Sequence, residues 1–117
     1  MNIEEYRSYC ISLKAVTEEF PFDEKTLVFK VAGKLFALCD VDTFGSINLK
    51  CDPELAIHLR EQYPAVVAGY HMNKQHWNTV YLDGSVSDQM IYMWIKNSYD
   101  LVVENLPKKV RIEFELI

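Results

Sequence analysis

Three short runs between residues 26 and 51, TLVFKVA, KLFALCD and SINLKC, constrain this chain more than anything else in it. In the first, Leu27, Phe29 and Val31 alternate with Val28 and Lys30. In the third, Ile47, Leu49 and Cys51 alternate with Ser46, Asn48 and Lys50. Side chains on a strand point to opposite faces in turn, so this period marks half-buried strands. The connections are only a turn at Gly33-Lys34 and a few residues around Gly45. Parallel pairing needs a crossover of a dozen or more residues, so an antiparallel meander is required, greasy on one face and bearing lysines and an amide on the other.

Helix signals surround the meander. Asn2 is a candidate N-cap with Glu4 and Glu5 in the first turn, and Ile3, Tyr6, Tyr9 or Cys10, and Leu13 recur at helical spacing over residues 3–13. TEEFPFDEKT, with Pro21 and clustered charge, reads as a loop. Asp52 followed by Pro53 and Glu54 opens a second helix, its buried stripe expected at Leu55, Ile57 or His58, and Leu59, ending at Tyr63-Pro64. AVVAGYHM and HWNTVYL pair as a second hairpin around Asn73-Lys74-Gln75. After a turn at Asp83-Gly84, Ser85 or Ser87 caps a last helix over about residues 87–105, with Ile91, Trp94, Ile95, Ser98 and Val102 on one side. The tail VRIEFELI, residues 110–117, alternates perfectly and is compatible with an added edge strand, a partner-facing tail or a strand exchanged in a dimer.

The reading is one α+β domain spanning residues 1–117. Its order is α-β-β-β-α-β-β-α plus a further C-terminal strand as one outcome, with a five-stranded antiparallel sheet and helices packed on one face. The N-terminal MNIEEYRSYC has no basic segment followed by an apolar run, and no stretch approaches the ~18 apolar residues of a membrane span, so a soluble cytoplasmic protein is expected.

Charge and cysteine usage narrow the chemistry. The formal net charge of −5 disfavours polyanion binding in bulk. Its distribution matters more: residues 27–82 hold five acids and five bases, whereas the deficit lies in the flanking segments. Cys10, Cys39 and Cys51 form no C-x-x-C pair, so reduced, mostly buried thiols are expected rather than disulfides or a zinc site.

GYHMNKQHWNTVYL, residues 69–82, concentrates His71, His76, Trp77, Lys74 and several amides without one acid. Five-residue spacing puts the two histidines on opposite faces of continuous strands and no third ligand is nearby, which argues against a metal. The chain has no G-x-S-x-G, H-E-x-x-H or P-loop, and no cofactor or catalytic residue is expected. A binding surface is the less trivial possibility: Lys30, Asn48 and Lys50 share the polar strand faces, and Lys74, His71, His76 and Trp77 decorate the second hairpin.

These blocks resemble a known family. FPFDEKTLVFKVAGKLFAL, INLKCDPELAIHLREQYPAVVAGYHMNKQHWNTVYLDG and IKNSYDLVVENLPKK are similar to the MmcQ/YjbR-like family of small bacterial proteins, from about residue 3 to residue 109. The resemblance implies a frataxin-like (CyaY-like) α+β fold and DNA binding through a "double wing" of two β-hairpins, here near Gly33-Lys34 and Asn73-Lys74-Gln75. It also implies phosphate contacts at Lys30, Lys34, Lys50 and Lys74, with Asn73, His76 and Trp77 beside them. Two expectations follow. One is a non-enzymatic nucleic-acid-binding protein. The other is a chaperone-like module binding a protein or peptide, or a second copy of itself, through the open sheet or the tail.

Overall fold

Ala32 and Gly33 have φ of +48° and +83°, and two successive positive values make a type I′ turn whose twist matches the strands it joins. In the computed structural model, which describes residues 1–69 and 72–117, this turn connects β2 (Thr26–Val31) to β3 (Lys34–Asp40). The turn sits one residue earlier than Gly33-Lys34, so Lys34 already belongs to the strand.

The remaining strands are β1 (Val16–Glu19), β4 (Ser46–Lys50), β5 (Val66–Ala68) and β6 (Trp77–Tyr81). They form one antiparallel sheet of six strands, not five, in the order β1-β2-β3-β4-β6-β5. The additional strand, β1, lies in what reads as a charged loop. Its sequence is Val-Thr-Glu-Glu, and only one side of an edge strand needs to be apolar. Glu18 accepts from the Arg7 guanidinium, and Glu19 pairs with Lys30 at 3.3 Å, so the charges are used locally.

Register assigns the faces. Leu27, Cys39, Ile47, Val80 and Val66 line up across the sheet, as do Phe29, Ala37 and Leu49. These rows join Tyr6, Cys10, Ile91, Trp94, Ile95, Tyr99 and Val102 in the core. Tyr6 and Cys10 come from α1 (Ile3–Ser12), the others from α3 (Asp88–Glu104). The other face presents Lys30, Leu35, Leu38, Asn48 and Thr79.

Local chemistry starts the helices where the caps lie. Asn2 and Glu5 make a reciprocal capping box, Asp52 caps α2 (Pro53–Gln62), and Ser87, not Ser85, caps α3. The inner side of α2 differs from expectation: Leu55 and Ile57 are exposed, Leu59 is half-buried, and the small Ala56 is the buried residue. α2 lies over the β5–β6 edge of the sheet rather than its middle, so it buries a narrow strip and leaves its larger apolar side chains at the margin.

The tail is not a strand. Lys108–Glu113 form a short helix, α4, after Pro107. Glu115 at φ +56° then closes it with two bonds, Glu115 N–H to the Ile112 carbonyl at 3.1 Å and Leu116 N–H to the Arg111 carbonyl at 2.7 Å. That pair of bonds is a Schellman motif. A strand needs a neighbour to satisfy its backbone. A helical turn satisfies its own, and here it still packs Leu116 on the core.

One hydroxyl joins the layers. A register irregularity at Phe29/Lys30 interrupts the β2–β3 ladder opposite Phe36, and the β3–β4 ladder stops at Ala37–Leu49. Next to this break, fully buried Ser98 of α3 donates to the Phe36 carbonyl at 2.6 Å and accepts from the Lys50 N–H at 2.9 Å. Replacing Ser98 with Ala strands one buried donor and one buried acceptor. Ser98→Ala should cost about 2–3 kcal/mol, read as a lower urea midpoint at unchanged slope. The hydroxyl of Tyr6, by contrast, is buried without a partner among the described residues. Tyr6→Phe is expected to raise stability by about 1 kcal/mol, and a loss of that size in the same assay would contradict the placement.

Candidate nucleic-acid interface

The topology sorts charge along the strands. β2 and β4 run one way, β3 and β6 the other. Lys30 near the end of β2, Lys34 at the start of β3, Lys50 at the end of β4 and the residues leading into Trp77 therefore share one end of the sheet. The opposite end collects Asp23 and Glu24 before β2, Asp40 at the end of β3, Asp42, and Asp83 beyond β6, with Lys25 paired to Asp42 at 3.6 Å. Lys30, Lys34, Lys50 and Lys74 thus come to this end from four separate segments of a chain of net charge −5.

The candidate side chains are not equivalent. Lys30 is half-buried and paired with Glu19. Lys34 and Lys74 are exposed and Lys50 is half-buried; none of the three makes an ion pair with a described residue. Asn73 shapes the turn: its Oδ1 accepts from the Gln75 N–H at 2.9 Å, and its carbonyl accepts from the N–H groups of His76 and Trp77 at 3.2 and 3.0 Å. The carbonyl of half-buried His76 accepts from Cys51 N–H at 2.7 Å, tying this turn to the end of β4. His71 lies outside the described residues.

Trp77 is only 8% exposed, so its ring fills space instead of offering a face for a base to stack on. Gly69 makes this possible. Its N–H donates to the Trp77 carbonyl at 2.8 Å, and a Cβ on residue 69 would sit 2.7 Å from the Trp77 Cβ and 2.8 Å from that carbonyl oxygen.

Arg60 is a residue that sequence reasoning passed over. From the last turn of α2, its Nη2 donates to the Lys74 carbonyl at 3.0 Å while its Nε donates to the Ala56 carbonyl at 3.2 Å. It holds Lys74 in place and adds a cation at the same end. A basic residue near a helix C-terminus is ordinary dipole compensation, so nothing in the sequence distinguished it.

The middle of the open face is different in kind. A cavity of about 660 Å³ there is lined by Phe22, Leu35, Leu38, Met72, Thr79 and Tyr81, with Asn48 accepting from the Thr79 hydroxyl at 2.6 Å. Among the described residues, Asp40 is the one charged side chain in its lining and no lysine takes part. The cations therefore border one end of an apolar floor and do not cross it.

Thiol chemistry finds little support here. Burial pushes the Cys10 thiol far up, raises Cys39 to about 12 and Cys51 to about 11, with Asp52 adding to the last. All three stay protonated near neutrality, and a thiol is a poor nucleophile in that form. Among the described residues, no three His, Cys, Asp or Glu side chains converge on a point that could hold a metal ion.

The closeness of residues 69 and 77 gives a direct test. Gly69→Ala should destabilise the protein by about 1–3 kcal/mol through overpacking against backbone, together with a red-shifted tryptophan emission as Trp77 is displaced. An unchanged urea midpoint and spectrum would show that the strands can part at no cost.

Comparison with known proteins identifies the family. The family model described as YjbR matches residues 11–101, from the later part of α1 to the last turns of α3. The uncharacterised protein YjbR of Escherichia coli K12 is 39% identical over 112 residues, 95% of each chain, and YbdF of E. coli O157:H7 is 38% identical over 91 residues, 77% of this chain and 75% of that one. Among solved structures, the Deinococcus radiodurans protein DR2400 superposes with a TM-score of 0.93 at 38% identity, covering 97% of this chain and 88% of that one. A Pseudomonas syringae protein gives 0.74 at 29% identity, covering 86% and 98%. With a family model matching residues 11–101 and a relative 39% identical over 95% of each chain, this chain belongs to the YjbR family.

Proposed function

We propose that this protein binds nucleic acid along its phosphate backbone, without catalysing a reaction, using the lysine-bearing end of the sheet. The observation that carries the reading is the gathering of Lys34, Lys50 and Lys74 from three separate segments, with Arg60 bracing the third. Asp23, Glu24, Asp40, Asp42 and Asp83 lie at the far end of the sheet, while Asp52, Asp100 and Glu104 flank Lys50 on the helix side, so an approaching polyanion meets the lysines from the open face. Lys30 contributes less, since Glu19 already neutralises it. The burial of Trp77 removes base stacking by that ring, so binding is expected to follow charge and shape and to be indifferent to base sequence.

With three usable lysines, log K should fall against log salt with a slope of about −3 on duplex DNA. Fluorescence anisotropy on a short labelled duplex at several salt concentrations measures it. The triple variant K34E/K50E/K74E should abolish binding, and each single Lys→Ala change should reduce the slope by about one. Equal binding by the triple variant would overturn the assignment.

A second reading, capture of an extended peptide, is favoured by the apolar floor of the open face, where Phe22 is 71% exposed. The same variants separate the two. Peptide capture should survive K34E/K50E/K74E and fail in Phe22→Glu, the reverse of what backbone binding requires.

A further inference from the structure

On the opposite side of the sheet from the open face, α2 and α3 are joined where the ring of Tyr63 stands edge-on to Trp94, centroids 5.1 Å apart. A cavity of about 260 Å³ with Trp94 in its wall opens at a rim that includes Asp52 and Glu104. Leu49 and Val80 form its floor, and Leu55, Leu59, Trp94 and Leu101 its walls.

Asn78 is the buried polar side chain of the lining, whereas Asn97 and the charged residues there reach solvent. Asn78, 2% exposed, donates through Nδ2 to the Ala56 carbonyl at 3.3 Å, and its Oδ1 is buried with no donor among the described residues. The amide cannot be turned over, because that would set its oxygen against the carbonyl of Ala56. Nor does the fold need it: the Ala56 carbonyl already accepts from Arg60 Nε. An apolar side chain would fill this place without leaving a carbonyl unpaired. The rim carries the second signal. Asp52 and Glu104 stand with one lysine, Lys50, around the mouth, while Asp100 there is already paired with Lys96 at 2.5 Å, so among the described residues two acids face one free cation.

We propose that this cavity is a binding site for a small amphipathic amine, with an O–H or N–H donor at its inner end for Asn78 Oδ1, an apolar or aromatic body, and an ammonium group at the acidic rim. A cavity of about 150 Å³ accepts benzene, so this one accommodates about ten non-hydrogen atoms. The site is separate from the lysines of the nucleic-acid reading except for Lys50 at the mouth, and it does not depend on that reading.

Tyramine has the required donor, ring and cation. It serves as the probe beside phenethylamine, which lacks the hydroxyl, and 4-hydroxyphenylacetate, which reverses the charge. Titration into the full-length ¹⁵N-labelled protein should shift the Trp94 indole N–H and the Asn78 side-chain amide saturably, with a Kd of about 1 mM or tighter. Phenethylamine should bind about tenfold more weakly, the worth of one hydrogen bond to a buried acceptor, and 4-hydroxyphenylacetate more weakly still. Leu101→Trp, at a half-buried wall position, should fill the cavity and abolish the shifts. In Asn78→Leu the preference for tyramine over phenethylamine should vanish; the Leu101→Trp result stands by itself if that variant does not fold. No saturable shift with tyramine, equal binding of 4-hydroxyphenylacetate, or undiminished binding by Leu101→Trp would each overturn the proposal.

Discussion

The Ser98 hydroxyl is where the two layers of this protein depend on each other. The bulge around Phe36 bends β3 away from an unbroken ladder, leaving the Phe36 carbonyl and the Lys50 N–H on facing strands without ladder partners. A single oxygen from the middle of α3 serves both. The helix is thereby positioned by hydrogen bonding as well as by the apolar contacts of Ile91, Ile95 and Val102, and the end of β4 is held where Lys50 and the Asp52 cap follow. Both sites considered above lean on this point. Lys50 belongs to the cationic end of the sheet, and the cavity beside Asn78 lies between α2 and α3, whose separation depends on where α3 is seated.

Much of the architecture was legible in the chain because it is local. The capping box at Asn2 and Glu5, the Asp52-Pro53 start and the Ser87 cap are decided by side chains within three residues of the backbone groups they satisfy. The alternation of β2 and β4 reports burial of one face directly. Misreadings occurred where burial was decided from a distance. β1 looks like a loop because its outer side faces water and its charges are matched by Arg7 and Lys30, residues remote in sequence. The tail alternates like a strand, yet a helical turn closed at Glu115 satisfies its backbone within the segment.

The candidate site shows the same division. Its lysines could be named from the strands and from the family resemblance, and the tight turn at Asn73 was visible as a cluster of turn-forming residues. The burial of Trp77 was not, since it rests on the absence of a side chain at Gly69 on the neighbouring strand. Arg60 and Asn78 were invisible for a related reason: each acts through a backbone carbonyl on another segment, or through the lack of a partner there.

By itself, the amino-acid sequence determined which segments are strands and helices across most of the chain, where the helices begin, that the sheet is antiparallel, and which lysines are available to an anion. Tertiary structure alone decided that Lys34, Lys50 and Lys74 meet at one end of the sheet, that Trp77 is closed off, and that Asn78 faces an apolar cavity with an unpaired oxygen. The physical reason is range. Caps and periodicity act over three or four residues, whereas charge segregation and the satisfaction of buried polar groups depend on strand order and register, which join residues far apart in the chain.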